Sequence, residues 1–278
     1  MKKPSLHAVR RTVQVVTAVS FIVIPLLNHF RISFVYGNFL SFRFFMIPLA
    51  DPLAVLQIFL KNNYLSADLI IGAAIALVLA AVLGTVFCSW ICPFGLFSEW
   101  AHMFSRRWKK KRKSKKSGYN ISGFKMKSGL FIIGIIGFLV FSTTPVLNQL
   151  SLPAWYSRIF QFWFEQWHVS LAILGLGSIL VIEVLMGRRL WCRYICPQSV
   201  LITLAKQVNP RRMRVCYDTE KCLCRQTTNH PCHKACSLGF DPKNVNRWME
   251  TDCTNCGECI TACKKRGKAL SFGFSKKL

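Results

Sequence analysis

The chain has 278 residues, 52% of them hydrophobic, and 37 Lys and Arg residues against only 11 Asp and Glu residues. So basic a balance suggests either nucleic acid or an anionic membrane surface as a partner. The basic residues flank apolar blocks and form no recognisable nucleic-acid-binding motif. The sequence therefore argues against nucleic acid and for a membrane as the partner.

The apolar residues are concentrated in four blocks, each long enough to cross a hydrocarbon core of about 30 Å. These blocks are Thr12–Phe30, Asp68–Phe87, Ser128–Leu147 and Ser170–Gly187. The first lacks a small-residue cleavage site, so it is interpreted as an anchor and not as a signal peptide. We therefore expect an all-α polytopic membrane protein with four transmembrane helices.

The basic residues also predict the orientation. The two termini and the loop between spans two and three hold 33 Lys and Arg residues, and the other two loops hold 4. Positive charge accumulates on the cytoplasmic side, so both termini are predicted to be cytoplasmic. The basic run Arg106–Lys116 is interpreted as a topology determinant resting on anionic lipid. The two outer loops are rich in aromatic residues, and we expect them to form short amphipathic helices along the outer surface.

An internal repeat connects the two halves of the apolar region. Span two ends in Cys88-Ser-Trp-Ile-Cys92-Pro93, and span four is followed by Cys192-Arg-Tyr-Ile-Cys196-Pro197. Each half is thus predicted to be a hairpin that ends in C-x3-C-P at the cytoplasmic boundary, with both thiols on one helix face and the proline ending or kinking the helix.

Four roles are open for these cysteines. They are a redox-active pair, a soft-metal site such as one for Cu(I), a further cluster, or simple packing of helix ends. The repetition of the motif favours a functional role without choosing among the first three.

From about Lys206 the sequence changes character, and nine of the thirteen cysteines lie between Cys216 and Cys263. We therefore predict a membrane domain over 1–205 and a small cytoplasmic, ferredoxin-like iron–sulfur domain over 206–278. A disulfide framework would need an oxidising compartment and would leave one cysteine over. Thiolate ligation instead implies a reducing compartment, in agreement with the charge count.

The strongest motif in this tail has the C-x2-C-x2-C-x3-C spacing of a bacterial ferredoxin cluster. Its cysteines are Cys253, Cys256, Cys259 and Cys263. Lys264 stands where proline usually follows the fourth cysteine, which changes the local turn but not the ligand set. A zinc site would instead show two separated C-x2-C knuckles.

The upstream cysteines are less regular, with the pattern C-x5-C-x-C-x7-C-x3-C from Cys216 to Cys236. Cross-ligation between the two motifs predicts two [4Fe–4S] clusters. Cluster I would use Cys222, Cys224, Cys232 and Cys263, and cluster II would use Cys236, Cys253, Cys256 and Cys259. Cys216 is the predicted spare thiol. The alternative is one cluster plus a degenerate or structural-metal lobe.

Together these motifs resemble the NapH family of membrane ferredoxin-type subunits of quinol dehydrogenases, which serve periplasmic nitrate reductase. The resemblance rests on the segment 48–57 (Pro-Leu-Ala-Asp-Pro-Leu-Ala-Val-Leu-Gln), on the two C-x3-C-P motifs and on the ferredoxin tail. Relatives in the NosR/MauN/CcoG superfamily serve nitrous oxide reduction, methylamine oxidation and copper-oxidase assembly. The irregular stretch Cys216–Cys236 departs from the family pattern.

The resemblance implies a quinol-oxidising redox subunit in a bacterial inner membrane. It would take electrons from menaquinol or ubiquinol and pass them to a periplasmic or membrane-associated ferredoxin-type subunit. Glu183 within span four is the first candidate quinone residue, because an intramembrane acid is functional by default. Further candidates are Asp51 with Arg43, and Glu165 with His168.

Two other functions compete with this one. A copper-handling or oxidase-assembly factor would use the thiols of Cys88, Cys92, Cys192 and Cys196. A redox sensor would signal through the membrane domain, but no kinase or DNA-binding element supports it. The predicted clusters face the cytoplasm and the expected acceptor lies outside, so the sequence leaves the route across the bilayer open.

Overall fold

The computed structural model describes residues 5–30, 35–38, 41–44, 47–62, 66–109, 123–141, 146–166, 172–224, 230–243, 247–264 and 267–274. Helices dominate these residues, with one three-stranded and one two-stranded sheet. The helices of the first 208 residues are α1 Leu6–His29, α2 Pro52–Asn62, α3 Ala67–Leu83, α4 Pro93–Lys109, α5 Gly123–Phe141, α6 Val146–Gln149, α7 Leu152–Gln166, α8 Ala172–Met186, α9 Trp191–Tyr194 and α10 Gln198–Val208.

The apolar helices of the chain indicate a membrane protein. Within the described residues, the segments Leu6–Leu27 and Gly123–Phe141 are long and apolar enough to cross a bilayer. Two shorter apolar helices, α3 with 17 residues and α8 with 15, coincide with the second and fourth predicted spans. That all four cross the membrane stays a prediction.

The first predicted outer loop contains a helix, as expected, but also a sheet that was not predicted. It contains a three-stranded antiparallel sheet followed by α2. The strands are β1 Val35–Asn38, β2 Ser41–Phe44 and β3 Ile47–Ala50. The second loop does contain the predicted amphipathic helix, α7. The sheet forms because β3 packs on α3, where Gly72 offers no side chain to keep the strand away.

The two C-x3-C-P motifs lie in tight turns and not on long helices, which corrects the helical expectation. Cys88 is in a π-helical turn, Phe87–Ile91, and Cys192 is in the single turn of α9. In each motif the proline begins the next helix and does not end the preceding one, since Pro93 opens α4 and Pro197 is the N-cap of α10. Proline suits this position because its missing N–H would have no helical partner there.

The helix after each motif packs on the apolar helix of the other repeat. The helix α4 packs on α8, and α10 packs on α3. The pairing is parallel: Ser98 donates a hydrogen bond to the carboxylate of Glu183, and one turn further His102 Nδ1 lies 2.9 Å from the Gly187 carbonyl. This exchange of helices between the repeats brings the two motifs together.

The tail forms a compact lobe on the same end of the helices as Gly84 and Gly187. Its elements are β4 Met213–Tyr217, α11 Pro231–Ala235, α12 Arg247–Asp252, α13 Glu258–Cys263 and β5 Leu270–Phe274. The strands β4 and β5 pair antiparallel, with Val215 opposite Phe272. That this small α+β lobe is a ferredoxin-like domain stays a prediction, and α10 runs across the predicted domain boundary at residue 206.

The contact between Gly72 and β3 gives a test of the fold. A Cβ at Gly72 would lie 2.7 Å from the backbone nitrogen of Ala50, so the strand would have to move. We expect Gly72→Ala to destabilise the protein by about 1–3 kcal/mol, the usual cost of overpacking. The measurement is thermal unfolding of the purified protein in detergent.

Gly137→Ala is the matched control, because nothing lies within 4 Å of a Cβ at that position on α5. It should leave stability unchanged or raise it by about 0.5–1 kcal/mol through better helix propensity. Equal unfolding temperatures for the two variants would contradict the packing of β3 on α3.

Candidate iron–sulfur and thiol sites

All thirteen cysteines are free, so no disulfide framework holds the tail together. Eight of the nine tail cysteines instead line two separate cavities. The proximal cavity, next to the helices, is lined by Cys236, Cys253, Cys256 and Cys259 together with cationic and apolar residues. The distal cavity is lined by Cys222, Cys224, Cys232 and Cys263. Each cavity therefore has one of the two cysteine sets grouped in the sequence analysis.

Cys216 is the ninth tail cysteine and is not among the described residues that line either cavity. It lies on β4, where its Sγ is 3.0 Å from the position a Cβ would take on Gly273 of the partner strand. Its thiol therefore packs between the strands.

Two left-handed backbone positions shape the loop that presents the proximal thiols. Asn255 has φ +52° and Gly257 has φ +74°, between Cys253 and Cys259. Asn255 tolerates this conformation because its short amide can bond locally. Its Nδ2 donates to the carbonyls of Leu83 (3.2 Å) and Met213 (2.9 Å), which fixes the loop to the end of α3 and to β4.

The π-helical turn that carries Cys88 holds the same loop from the helical domain. Thr85 Oγ1 donates to the Cys253 carbonyl at 2.6 Å, and Ser89 Oγ donates to the Thr254 carbonyl at 2.6 Å. Trp90 Nε1 donates to the Asn255 carbonyl at 3.3 Å. The carbonyls of Cys253, Thr254 and Asn255 (the ligand loop) are thus all bound by residues 85–90 of the first repeat.

Lys206 on α10 binds that loop from the second repeat. Its Nζ donates to the carbonyls of Glu250 (2.9 Å), Thr251 (2.8 Å) and Cys253 (3.0 Å). The side chain is buried, and this burial lowers the pKa of Lys206 to about 8, with the Cys253 thiol acting in the opposite direction. A buried ammonium that has carbonyls but no carboxylate as hydrogen-bond acceptors is suited to an anion nearby.

The Cys236 segment is held by the second repeat as well. The Arg189 backbone N–H faces the Ser237 carbonyl at 3.5 Å, and Arg193 donates to the Leu238 carbonyl at 3.2 Å. The backbone N–H of Phe240 donates to Cys236 Sγ at 3.4 Å. An N–H bond to a cysteine sulfur stabilises the thiolate that a cluster requires.

A buried ion network joins the N-terminal helix to the proximal lobe. Arg10 binds Glu99 through two hydrogen bonds of 2.8 and 2.9 Å and also contacts Glu258 of α13. Glu99 further pairs with Arg11 and Arg189. Because these groups are buried, removing one partner would leave a costly unpaired charge.

The four thiols of the two repeats lie close together beside this network. Cys92 and Cys192 share one apolar cluster with Phe94 and Ile179. Each of the four thiols has at least two of the others within electrostatic range, across both repeats. The structure thus brings the two motifs of the repeat together.

Of the candidate quinone residues, Glu183 is buried on α8. Its carboxylate accepts hydrogen bonds from Ser98 Oγ and from the Trp191 backbone N–H (3.2 Å). It therefore fixes α4 and the start of α9 against α8, and a quinone role stays a prediction.

Asp51 is also buried, and its Oδ1 accepts from the Leu53 N–H and from Gln198 Nε2, each at 3.1 Å. It thus connects the 48–57 segment to the residue after Pro197. His168 lies outside the described residues, as do the side chains of Arg43 and Glu165.

Comparison with known proteins bears directly on the repeats. A family profile described as a 4Fe-4S binding domain matches residues 66–112 and 168–214, each stretch containing one C-x3-C-P motif. The ferredoxin-type protein NapH of Escherichia coli (strain K12) is 25% identical over 243 residues, covering 85% of this chain and 79% of that protein. NapH of Haemophilus influenzae is 26% identical over 253 residues, covering 88% of this chain and 83% of that protein.

The chain is similar to NapH over most of its length. The methylamine utilization ferredoxin-type protein MauN of Methylobacillus flagellatus is a further relative, 26% identical over 195 residues, which cover 68% of this chain and 62% of that protein. No solved structure matches the chain. These matches confirm the resemblance to NapH that the motifs indicated. They also confirm the prediction of an iron–sulfur electron-transfer protein whose cofactors are iron–sulfur clusters.

Sequence reasoning missed the groups that bind the ligand loop, among them Lys206, Thr85 and Ser89. One signal was available for Lys206, a lysine near the end of an otherwise amphipathic helix directly before the tail. The hydroxyl groups carry no comparable signal, because Ser and Thr are common at helix ends.

The contacts of Lys206 give a test of the proximal site. Lys206→Met keeps the length of the side chain but leaves three buried carbonyls without their donor, each at a cost of about 1–3 kcal/mol. We expect a lower unfolding temperature and less iron retained after purification, measured by calorimetry and elemental analysis.

Lys221→Met is the control, because Lys221 is 67% exposed and pairs only with Asp218 among the ion pairs of the described residues. It should behave as the unchanged protein. If both variants retain the same iron and stability, Lys206 does not hold the ligand loop.

Proposed function

We propose that the chain is a multi-pass protein of the bacterial inner membrane that oxidises quinol and passes the electrons through two [4Fe–4S] clusters in its tail to a ferredoxin-type partner. The observation that carries this proposal is the division of eight tail cysteines between two cavities, four to each. Four thiolates are the ligand number of a [4Fe–4S] cluster, which supplies one-electron storage when bound.

The residues around the proximal cavity fit an anionic group. Burial raises the pKa of the Cys256 thiol to about 11, although Arg10 and Arg189 act to lower it. Without iron this thiol would therefore be protonated at neutral pH, and metal binding would release its proton. Lys206, Arg212 and Arg214 also line the cavity, together with Asp241 and with Glu250, which pairs with both arginines. Lys206 therefore supplies positive charge that is available to balance a bound cluster.

The distal cavity has a comparable but smaller cationic set. Lys243 lines it, and its Nζ donates to the Cys224 carbonyl at 2.6 Å and lies 3.0 Å from His230 Nδ1. Lys243 therefore holds the distal ligand loop much as Lys206 holds the proximal one. The two lysines support a pair of similar sites over one site plus a degenerate lobe.

The position of the two cavities suggests an order of electron transfer. The proximal cavity is bound to both repeats, whereas the distal cavity lies on the side of the lobe where Leu223, between two of its cysteines, is 79% exposed. In the proposed orientation, with both termini cytoplasmic, the proximal site exchanges electrons with the membrane domain and the distal site with a partner.

A copper-handling role is less well supported by the geometry. Thiolate ligands select Cu(I), and each C-x3-C-P motif supplies two of them. A copper relay through these thiols would leave the eight cysteines of the two tail cavities without a role. The spacing of the thiols around cavities instead suits a polynuclear cofactor.

The proposal predicts a quinol-reducible iron–sulfur protein. After purification without oxygen we expect at least about eight irons and eight acid-labile sulfides per chain, as two [4Fe–4S] clusters require. Adding a menaquinol analogue should produce the EPR signal of reduced clusters. Iron-containing protein that dithionite reduces but quinol does not would contradict quinol oxidation, and copper or zinc in place of iron would contradict the electron-transfer function.

The division of the cysteines predicts which substitution removes which cluster. Cys256→Ser should remove the signal of the proximal cluster, and Cys224→Ser that of the distal cluster, because each removes one of four ligands. EPR and iron analysis of each variant measure the loss, which should be about half of the iron of the two tail clusters.

Cys216→Ser is the matched control within the same lobe. Because its thiol packs against Gly273 outside both cavities, we expect both signals to persist. Loss of a cluster in this variant would show that the irregular upstream motif uses a different ligand set.

A further inference from the structure

The thiols of the two repeats are the feature that the tail clusters do not explain. They lie within the helical domain, and the profile described as a 4Fe-4S binding domain covers these motifs and not the tail cysteines. We infer that Cys88, Cys92, Cys192 and Cys196 hold a third iron–sulfur group inside the helical domain, beside the proximal cavity. This inference rests on the proposed function, since it extends the same chain of redox centres.

The first support is the convergence of the four thiols. Cys196 lies within electrostatic range of both Cys88 and Cys92, which belong to the other repeat, and Cys92 within range of Cys192. The exchange of α4 and α10 between the repeats makes this possible. Thiols that served only to pack helix ends would have no reason to meet in both halves of the chain.

The second support is a buried cation directed at the thiols. The amino group of Lys127 on α5 lies within electrostatic range of Cys88, Cys192 and Cys196, and Lys127 is 4% exposed. Its polar contacts are long, 3.4 Å to Thr203 Oγ1 and 3.9 Å to Asp252. A buried ammonium this loosely paired needs a further anion, and thiolates bound to metal provide one.

The other charged groups near the thiols leave an excess of positive charge. Lys206 and Arg189 also act on Cys88, and Arg189 is paired with Glu99. The other acids are Glu183, which acts on Cys192, and Asp252, which pairs with Lys127. Asp252 additionally lies 3.8 Å from Arg193. These acids are therefore largely paired with other cations. When the four thiols are protonated and neutral, the net charge around them is positive.

The third support concerns the kind of group. Four separated thiols match the four-thiolate ligation of a [2Fe–2S] or a [4Fe–4S] cluster.

The site is coupled to the proximal cavity through short contacts. Cys88 is adjacent to Ser89, whose hydroxyl binds the Thr254 carbonyl of the proximal ligand loop. Lys206 is within electrostatic range of both Cys88 and Cys253. Electron exchange between the two sites would oxidise one by one electron and reduce the other by one, with no bond broken.

The site also reaches toward the opposite end of the helices. Ile179, in the apolar cluster of Cys92, is eight residues before Gly187, or about 12 Å along α8. Beyond the second motif, Gln198 accepts a hydrogen bond from Ser151 Oγ at 3.2 Å, just before α7. In the proposed orientation the third group therefore lies between the cytoplasmic clusters and the outer loops.

The test is an iron count on full-length protein purified without oxygen. A variant with Cys92→Ser and Cys196→Ser removes one ligand from each repeat and leaves the tail intact. We expect it to lose about one third of the iron and labile sulfide if the group is [4Fe–4S], or about one fifth if it is [2Fe–2S], while the EPR signals of the tail clusters persist. Cys216→Ser should lose none.

Unchanged iron in the double variant would overturn the inference, as would copper or zinc at the repeat thiols. Failure of the proposed function would look different, because Cys256→Ser and Cys224→Ser would then leave the iron count unchanged. If the double variant does not accumulate, Lys127→Met keeps all ligands and removes the cation.

In a redox titration of Lys127→Met, we expect the midpoint potential of one centre to fall, since a nearby positive charge favours the more negative, reduced state. The two tail centres should keep their potentials. A titration in which no centre beyond these two is present, or in which none shifts, would contradict the third group.

Discussion

The structure depends on the binding of one loop, Cys253–Asn255, by both halves of the helical domain. The turn of the first repeat binds its three carbonyls through Thr85, Ser89 and Trp90, and Lys206 binds it from the second repeat. Thr85, Ser89 and Lys206 are buried, so their hydrogen bonds are made in a low-dielectric environment where a missing partner is costly. The lobe that carries the tail cysteines is therefore not a freely tethered module.

The helix exchange between the repeats explains why both halves reach the same loop. Since α4 packs on α8 and α10 packs on α3, each C-x3-C-P turn sits at the junction of both repeats. Proline suits the start of α4 and α10, because it has no N–H that needs a hydrogen-bond acceptor and its φ fits the first helical turn. The repeat thus brings two similar motifs to one junction.

Positive charge has two separate roles in this protein. The basic residues in the loops and tail are predicted to orient the chain in the membrane. Buried cations such as Arg10, Lys127, Lys206 and Arg189 lie near the thiols, and all of these except Lys206 pair with buried or part-buried acids. Lys206 binds carbonyls instead, so its charge is the one that a proposed cluster with thiolate ligands would balance.

Much of the tail could be predicted from spacing, since the grouping of Cys236 with Cys253, Cys256 and Cys259 matches the lining of one cavity. The apolar blocks likewise predicted the positions of α1, α3, α5 and α8. The sheet in the first loop could not be predicted, because its strands are stabilised by packing on Gly72 and not by their own pattern. The structural contacts of Asp51 and Glu183 could not be predicted either, because their hydrogen bonds join segments far apart in sequence; their quinone role stays a prediction.

The sequence by itself determined the cysteine spacing, the repeat and the charge asymmetry, because these are local or additive properties of the chain. Only the tertiary structure decided that the two motifs converge and that one of the two cavities is fixed to the helices. Those facts depend on contacts between residues far apart in sequence, such as Ser89 with Thr254 and Lys206 with Cys253. Such contacts follow from the exchange of helices, which no local pattern specifies.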